Sequence, residues 1–223
     1  MPVTSDYVSV RTFTYTLSPA TPQDSRKILR LFRGASRWLR RRKNTDQWAR
    51  PWPDRGRYEE RLLSDLIKGK TWLVWHRKTM AATITIDTEE PMAAPGEPVW
   101  PADKRHDLAL YVRRVIVKRS YADKGIGAAL LDWAAEVAKR DHGADLIRVD
   151  VWTTNEGLHD YYRNQGFEPC PGRDPEILGD YPSQALFERD IERAGTAHTR
   201  LFLERASQGV RRSRWRTLIS RYP

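Results

Sequence analysis

The stretch Ala122-Asp-Lys-Gly-Ile-Gly-Ala-Ala-Leu-Leu131 joins an apolar segment, Leu108–Val117, to a segment with helical periodicity that continues to about Arg140. Glycines in such a turn allow a ligand to approach the backbone, and the free N–H groups at a helix start attract anions. The pattern therefore favours a cradle for a pyrophosphate group, while two glycines before a helix also occur in ordinary tight turns. The predicted helix buries one apolar face, made of Ile126, Leu130, Leu131, Ala134, Val137 and Ala138.

A second informative segment is Arg148–Phe167. It has the pattern of a strand, a turn that contains Asn155, a short helix with the neighbouring residues Tyr161 and Tyr162, and a Gly-Phe exit. Together the two segments resemble the GNAT N-acetyltransferase family. The first is similar to its acetyl-CoA pyrophosphate-binding motif, and the second to its strand-helix motif that ends in Tyr-x-x-x-Gly-Phe. The resemblance is strong over residues 108–168 and looser from about residue 11 to residue 190.

The resemblance implies a fold and a domain organisation. The fold would be of the α/β class, with a mixed β-sheet that is splayed at its centre to admit a cofactor and is flanked by helices. One acyltransferase domain would occupy residues 1–190, and a basic, helical C-terminal extension would occupy residues 191–223.

The resemblance also implies acetyl-CoA, or another acyl-CoA, as a co-substrate. It assigns the Val115 N–H to the thioester oxygen and the Val117 N–H to the pantetheine arm, although core packing also explains both valines. One residue departs from the family: Ala122 stands where Gln or Arg is usual. Backbone N–H groups, Lys124 and Arg119 would then hold the pyrophosphate. The full expected set of cofactor-binding residues is Val115, Ile116, Val117, Asp123, Lys124, Gly125, Ile126, Gly127, Ala128 and Asn155.

Two catalytic residues are implied, Val115 through its N–H group and Tyr162 through its phenol. Tyr162 lies four residues before Gly166, at the position of the family's thiol-facing tyrosine, where it would protonate the leaving sulfur. Simple core packing is the alternative for Tyr162, and a helix cap is the alternative for Asn155. The general base stays open between a water chain and five side chains that also suit a solvated surface: Glu89, Glu90, His106, Asp107 and Asp150.

The net charge of +10 is unevenly distributed. Residues 26–43 hold nine basic residues and no acidic one, and residues 192–223 hold eight arginines and two glutamates. At helical spacing, seven of the basic residues in 26–43 form one purely cationic face, whereas solubility alone favours interspersed signs. This cationic face can simply be a solvated surface. Alternatively, a bound polyanion neutralises its positive charge.

Two classes of acceptor follow from this charge. The first is a primary amine of a small molecule, with Trp48 and Trp52 either lining the acceptor pocket or capping the core. The alternative is RNA, above all an aminoacyl-tRNA that serves as acyl donor or as acceptor through its α-amine. An arginine-rich tail with an aromatic residue suits phosphate contact and base stacking. The residues expected to bind nucleic acid are Arg26, Arg30, Arg33, Arg37, Arg40, Arg41, Arg211, Arg212, Arg214 and Arg216.

Composition restricts the remaining possibilities. The single cysteine, Cys170, excludes an internal disulfide and a cysteine-based metal cluster, and the histidines lack metal-ligand spacing, so no metal is expected. The chain shows no secretory signal and no apolar run of the roughly 20 residues that span a bilayer, which predicts a cytoplasmic protein without membrane contact. Monomer and homodimer both stay open.

The pattern along the rest of the chain predicts the other elements. Strands are expected over residues 9–17, 71–75, 80–87 and 184–190, and helices over residues 23–42 and 57–68. Thr21, Pro22 and Asp24 have the pattern of a helix start. Residues 89–106 contain four prolines and are expected to hold no regular element.

Overall fold

A computed structural model describes residues 15–192 and 203–205. Its strands are β1 (Tyr15–Pro19), β2 (Thr71–His76), β3 (Thr79–Asp87), β4 (Met92–Ala94), β5 (Glu97–Pro98), β6 (Ala109–Val117), β7 (Leu146–Val151), β8 (Glu168–Cys170), β9 (Ala185–Asp190) and β10 (Leu203–Arg205). Its helices are α1 (Ser25–Arg42), α2 (Arg55–Ile67), α3 (Ile126–Val137), α4 (Glu156–Asn164) and α5 (Pro175–Leu178).

Local sequence signals explain where the first helices begin. Thr21 and Asp24 form the expected capping box around a 3₁₀ turn, Pro22–Asp24, which leads into α1. Asp54 caps α2 by accepting a hydrogen bond from the Arg57 N–H at 3.0 Å. These caps satisfy N–H groups that have no partner inside a helix.

The main sheet contains eight strands in the order β10-β1-β2-β3-β6-β7-β9-β8. It is mixed, because β6 runs parallel to β7 and β10 runs parallel to β1, while the other neighbours are antiparallel. The fold is therefore the expected α/β class, with a mixed sheet flanked by helices.

The sheet splays between its two central strands. β6 and β7 pair only through Ala109–Tyr111 and Leu146–Arg148, so the last six residues of β6 have no partner on β7. A β-bulge also interrupts β6: its register against β3 shifts between Thr83 and Thr85, and Arg114 has a positive φ of 50°. A bulge bends a strand and re-aims its side chains. Splay and bulge together open a cleft in the middle of the sheet.

Two apolar layers fix the walls of this cleft. On one face of the sheet, all six residues of the predicted apolar face of the third helix are buried against strand residues such as Ile84 and Val112. On the other face, Ile28 of α1 and Leu62 and Leu66 of α2 pack on Leu73. Burying both helical faces is the main stabilisation of these walls.

Two expectations about the elements need correction. Residues 89–106 contain the β4–β5 hairpin and a 3₁₀ turn, Ala102–Lys104, because Val99 and Trp100 anchor this segment in a second apolar cluster. In the C-terminal extension, Leu203–Arg205 is a strand paired with β1, not part of a helix. The short edge strand β8 was not anticipated. Among the described residues β1 begins at Tyr15, and the part of the predicted first strand before residue 15 lies outside them.

Candidate active site

The splay opens into a cleft of about 1380 Å³. Its floor is the unpaired part of β6, and its walls come from α1, residues 47–61 and the end of β7. Among the residues predicted from the sequence, the cleft is lined by Val115, Ile116, Val117, Asn155, Tyr162, Trp48 and Trp52. The structure thus brings together two sequence segments that are separated by about 40 positions.

The unpaired backbone of β6 points into the splay. The Lys118 N–H donates to the Ala81 carbonyl of β3 at 2.8 Å. Because successive N–H groups of a strand alternate in direction, the Val115 and Val117 N–H groups face the opposite edge, where β7 has separated. A buried backbone donor without a partner is unfavourable, so these positions suit a ligand that carries carbonyl oxygens.

The predicted pyrophosphate loop follows Lys118 and Arg119 in the sequence. These two residues still line the cleft. Asp123 and Gly125 both have positive φ, 59° and 68°, and Gly125 is the N-terminal cap residue of α3. This backbone leaves the first N–H groups of an α-helix pointing out of its N-terminus, where the helix dipole favours an anion. The residues from Asp123 to Ala128 are outside the cleft lining itself.

Gly127 has a second reason to be glycine that the sequence analysis did not identify. It packs beneath Tyr161 of α4, and a Cβ atom at this position would lie 2.5 Å from the Tyr161 hydroxyl oxygen. Burial raises the pKa of the Tyr161 phenol to about 12, with a further contribution from the nearby Asp132. Gly127 therefore allows close packing between α3 and α4.

Tyr162 faces the cleft from α4. It is 7% exposed, and its ring contacts Phe167 and Phe187, with centroid separations of 5.3 and 6.3 Å. Burial raises the pKa of the Tyr162 phenol well above its ordinary value, and the charges of Tyr161 and Asp150 add to the shift. The phenol therefore stays protonated at neutral pH and can serve as a proton donor.

Asn155 is engaged by the protein on both of its polar atoms. Its Oδ1 accepts from the Leu158 N–H at 3.1 Å, which caps α4, and its Nδ2 donates to Gln47 Oε1. The helix-cap alternative is thus observed. Asn155 also lines the cleft, so its predicted contact with a cofactor stays a prediction.

A network of ion pairs forms the floor of the other half of the cleft. Arg114, at the bulge, contacts Asp65 of α2 with an N–O distance of 2.5 Å, and Arg113 contacts Asp87 at 2.7 Å. Lys70 joins the network through Asp87 at 2.7 Å. Since each buried charge here has a partner of opposite sign, the network fixes the floor rigidly.

Asp150 is the one proposed base whose carboxylate lines the cleft beside Tyr162. It is partly buried, not a solvated surface group, and accepts a hydrogen bond from the Tyr181 hydroxyl at 2.5 Å. Burial raises the pKa of the Asp150 carboxyl, against the opposing effects of Tyr181, Arg113 and Arg114. Tyr181, which lies in the loop before β9, carries no sequence motif that could have identified it.

The other proposed bases are differently placed. Glu89 is paired with Lys70 at 3.0 Å and Glu90 with Arg105 at 3.4 Å, both at the cleft. Asp107 is paired with the buried Arg148 at 2.5 Å, and neither Asp107 nor His106 belongs to the cleft lining. Asp150 therefore has the geometry that a proton acceptor in this cleft needs.

The basic residues of α1 form the predicted cationic face. All seven, Arg26, Lys27, Arg30, Arg33, Arg37, Arg40 and Arg41, are exposed. Five arginines border a shallow groove of about 570 Å³ on this side: Arg30, Arg33, Arg37, Arg40 and Arg55. The tail residues Arg211, Arg212, Arg214 and Arg216 lie outside the described residues.

The described residues show neither a metal-binding cluster nor a membrane-spanning helix. Within residues 15–192 and 203–205 there is no cluster of three or more His, Cys, Asp or Glu side chains that could hold a metal ion. No helix in that part of the chain is long and apolar enough to cross a membrane.

Comparison with known proteins agrees with this geometry. The sequence profile of the acetyltransferase (GNAT) family matches residues 35–167, more than half of the chain. The chain belongs to the GNAT acetyltransferase family and is an N-acyltransferase. It is 28% identical over 177 residues to YesJ, an uncharacterized N-acetyltransferase of Bacillus subtilis, and this similarity covers 78% of the chain and 88% of YesJ.

Solved structures show the same fold. A GNAT-family acetyltransferase from Listeria monocytogenes has a TM-score of 0.61 and 20% identity, with 79% of this chain and 94% of that one covered. The PaiA N-acetyltransferase of Thermoplasma acidophilum, solved in complex with coenzyme A, has a TM-score of 0.55 and 17% identity, with 79% and 99% covered.

Proposed function

We propose that the protein transfers an acetyl group from acetyl-CoA to a primary amine of a small molecule. The observation that carries this proposal is the splay: it leaves Val115 and Val117 N–H groups unpaired and places them in the same cleft as Tyr162. The fit to the cofactor rests on those unpaired donors, on the volume of the cleft and on the helix N-terminus at Gly125. Bound there, acetyl-CoA supplies the activated acyl group.

The chain's own residues have three roles in this proposal. The Val115 N–H donates to the oxygen of the acyl carbonyl and stabilises the negative charge that develops on it. Tyr162, kept protonated by its raised pKa, donates its proton to the departing sulfur. The N-terminus of α3, together with Lys124 and Arg119, holds the anionic end of the cofactor.

Calorimetry tests the donor, and thiol release tests the transfer. We expect saturable binding of acetyl-CoA and release of free thiol that depends on an added primary amine. Absence of binding at ligand concentrations of about 1 mM, where only interactions weaker than about 4 kcal/mol are missed, would remove the thioester donor from the proposal.

A tRNA-dependent acyltransferase is the second candidate, favoured by one observation, the exposed cationic face of α1. On the described surface of α1 no acidic residue interrupts this face. Under this alternative, aminoacyl-tRNA would serve as acyl donor or as acceptor through its α-amine, held by α1 and by the arginine-rich tail. A salt-dependent affinity for tRNA is its signature.

A further inference from the structure

The ion pairs of the cleft leave one partly buried carboxylate without a cation. Asp65, Asp87 and Glu90 each have an arginine or lysine partner within 4 Å. Asp150 lies at the same cleft, and its hydrogen-bond partner among the described residues is the neutral phenol of Tyr181. A partly buried carboxylate without an ion-pair partner in the protein can bind a cation supplied by a ligand.

Arg61 is one of the cleft-lining arginines without an acidic partner, and the protein fixes its side chain in place. Arg61 of α2 lines the cleft, and its side chain donates to the Trp52 carbonyl and lies over the Trp52 ring, 5.2 Å from the centroid. In the described part of the chain no carboxylate lies within 4 Å of Arg61, in contrast to Arg113 and Arg114. Its guanidinium group is held in place and available to an anion.

An aromatic pair connects these two charges. The rings of Trp52 and Tyr181 meet edge to face with a centroid separation of 4.9 Å and an interplanar angle of 84°. Arg61 contacts the first ring and Asp150 binds the hydroxyl of the second. The anion-binding and cation-binding groups are therefore separated by an apolar wall, which suits the short carbon spacer of a small molecule.

We propose that the acceptor is a zwitterionic amine, whose ammonium group binds Asp150 and whose carboxylate or phosphate group binds Arg61. This inference rests on the proposed function and adds the substrate class to it. The charge of the whole cleft supports it, because twelve basic and six acidic residues line the cleft. A diamine or polyamine would meet an excess of like charge there.

The same placement makes Asp150 the proton acceptor. The ammonium group passes one proton to the Asp150 carboxylate, and the neutral amine then attacks the thioester carbonyl carbon. The C–N bond forms and the C–S bond breaks, while Tyr162 protonates the leaving sulfur. The second proton of the amine nitrogen returns to Tyr162, and Asp150 releases its proton to solvent, so the reaction yields the amide, the free thiol and one proton.

The pH dependence is set by the groups that face Asp150 from each neighbouring element. These groups are Tyr181 from the loop before β9, Tyr162 from α4, and Arg113 and Arg114 from β6. Burial raises the pKa of Asp150, so the carboxylate becomes protonated, and kcat/KM falls, at a higher pH than for an ordinary aspartate.

The test compares amines of matched length, with thiol release as the readout. The panel is β-alanine and 4-aminobutyrate as carboxylates, phosphoethanolamine as the phosphate, butylamine and ethanolamine as amines without an anionic group, and 1,4-diaminobutane as the dication. We expect kcat/KM to be at least about tenfold higher for one of the two classes with an anionic group than for butylamine and ethanolamine. The carboxylate and phosphate arms identify the anion. Equal or better use of butylamine or of the diamine would overturn the proposal.

Three variants complete the test. Arg61→Met should raise KM for the preferred zwitterion about tenfold and leave butylamine unaffected, whereas Arg140→Met, at an exposed arginine outside the cleft lining, should change neither. Asp150→Asn should lower kcat about 100-fold and abolish the acidic limb of the pH profile. Tyr181→Phe, which removes one hydrogen bond, should shift that limb.

Acetyl-CoA binding, measured by calorimetry on the same proteins, distinguishes the two proposals. Normal acetyl-CoA binding with no preference among the amines, or with a preference that Arg61→Met leaves intact, contradicts the zwitterion proposal alone. Loss of acetyl-CoA binding in the unmodified protein contradicts the transferase proposal on which it rests. Binding of the zwitterion to the protein with coenzyme A present gives a readout that does not depend on turnover.

Discussion

The backbone of Gly127 lies directly beneath the hydroxyl group of Tyr161, at a distance that leaves no room for a methyl group. Gly127→Ala should therefore displace the Tyr161 ring or push α3 and α4 apart, and lower the free energy of unfolding by about 1–3 kcal/mol. Removing the obstructing oxygen with Tyr161→Phe should recover most of this loss. Denaturant unfolding of the two single variants and the double variant measures the coupling. Additive effects would mean that the glycine is needed for another reason.

Gly125 provides a test of the anion cradle that separates binding from folding. Gly125→Ala places a side chain at φ 68°, next to the N-terminus of α3, and should weaken acetyl-CoA binding about tenfold or more. Gly143→Ala is the matched control, because Gly143 has φ 61° and open space around it. Both variants should lose about 1–2 kcal/mol of stability through backbone strain. Equal acetyl-CoA affinities would place the pyrophosphate elsewhere.

Tyr162→Phe isolates the proton donor. We expect kcat to fall by a factor of about 10²–10⁴ with little change in acetyl-CoA affinity, because the hydroxyl acts on the departing sulfur. Tyr161→Phe is the control at the adjacent position and should leave kcat unchanged. Single-turnover measurements would ensure that the measured rate is that of the acyl-transfer step. A full rate in Tyr162→Phe would reduce this residue to a packing role against Phe167 and Phe187.

Asp150 should destabilise the folded protein at neutral pH. Its folded-state pKa is raised by burial, so its contribution to stability is fully present below the unfolded pKa and is lost as pH rises through the folded value. Asp150→Asn should therefore increase Tm at pH 7 by a few degrees and have less effect near pH 4.

Asp46 should have the opposite effect on the stability of the folded protein at neutral pH, and it serves as the comparison. Its pKa is lowered, mainly by the hydrogen bond from the Trp152 indole, so Asp46→Asn should lower Tm at pH 7 and lose this effect as pH falls. Thermal melts at both pH values check the pair. The same sign in both variants would contradict the electrostatic explanation.

The cationic face of α1 decides the RNA alternative. Replacing Arg33, Arg37 and Arg41 with Glu should weaken tRNA binding and leave acetyl-CoA binding intact, if α1 binds RNA. The affinity of the unmodified protein should then fall steeply with salt, with a log–log slope of about −0.7 to −0.9 per neutralised phosphate. A matched charge reversal at other exposed basic residues should have a smaller effect: Lys139, Arg140 and Arg163. Normal turnover of a small amine by the triple variant would exclude a need for RNA.

The backbone features of the proposed cofactor half of the site could be predicted from sequence because their signals are local. Gly125 and Tyr162 each lie in a short motif, a turn before a helix or a helix before Gly-Phe, and both motifs fix their own backbone conformation. That Tyr162 lies in one cleft with Val115 and Val117 was implied only by the family resemblance. Neither the bulge at Arg114 nor the packing of Gly127 under Tyr161 could be predicted, because both depend on contacts between elements distant in sequence.

The residues that we propose to bind the acceptor carry little signal in the sequence. Asp150 was one of several acids near strand ends, and only the splay shows that its carboxylate is partly buried and bound by Tyr181 from a loop 31 residues later. The strand at Leu203–Arg205 was predicted as helix because its apolar neighbours permit helical spacing, whereas its actual partner is β1, nearly 190 residues earlier. Short strands such as β4 lack enough residues to show a period.

The separation of β6 from β7 also bears on solubility. A strand with unpaired N–H groups usually invites a strand from another molecule and so promotes aggregation. Here the unpaired stretch of β6 lies in the interior of the sheet, between β3 on one side and the diverging β7 on the other. Since α1 and residues 47–61 also wall the cleft, the unpaired stretch is not an edge of the sheet to which a foreign strand could add. The protein can thus keep unpaired backbone N–H groups for its ligand without exposing a sheet edge that promotes aggregation.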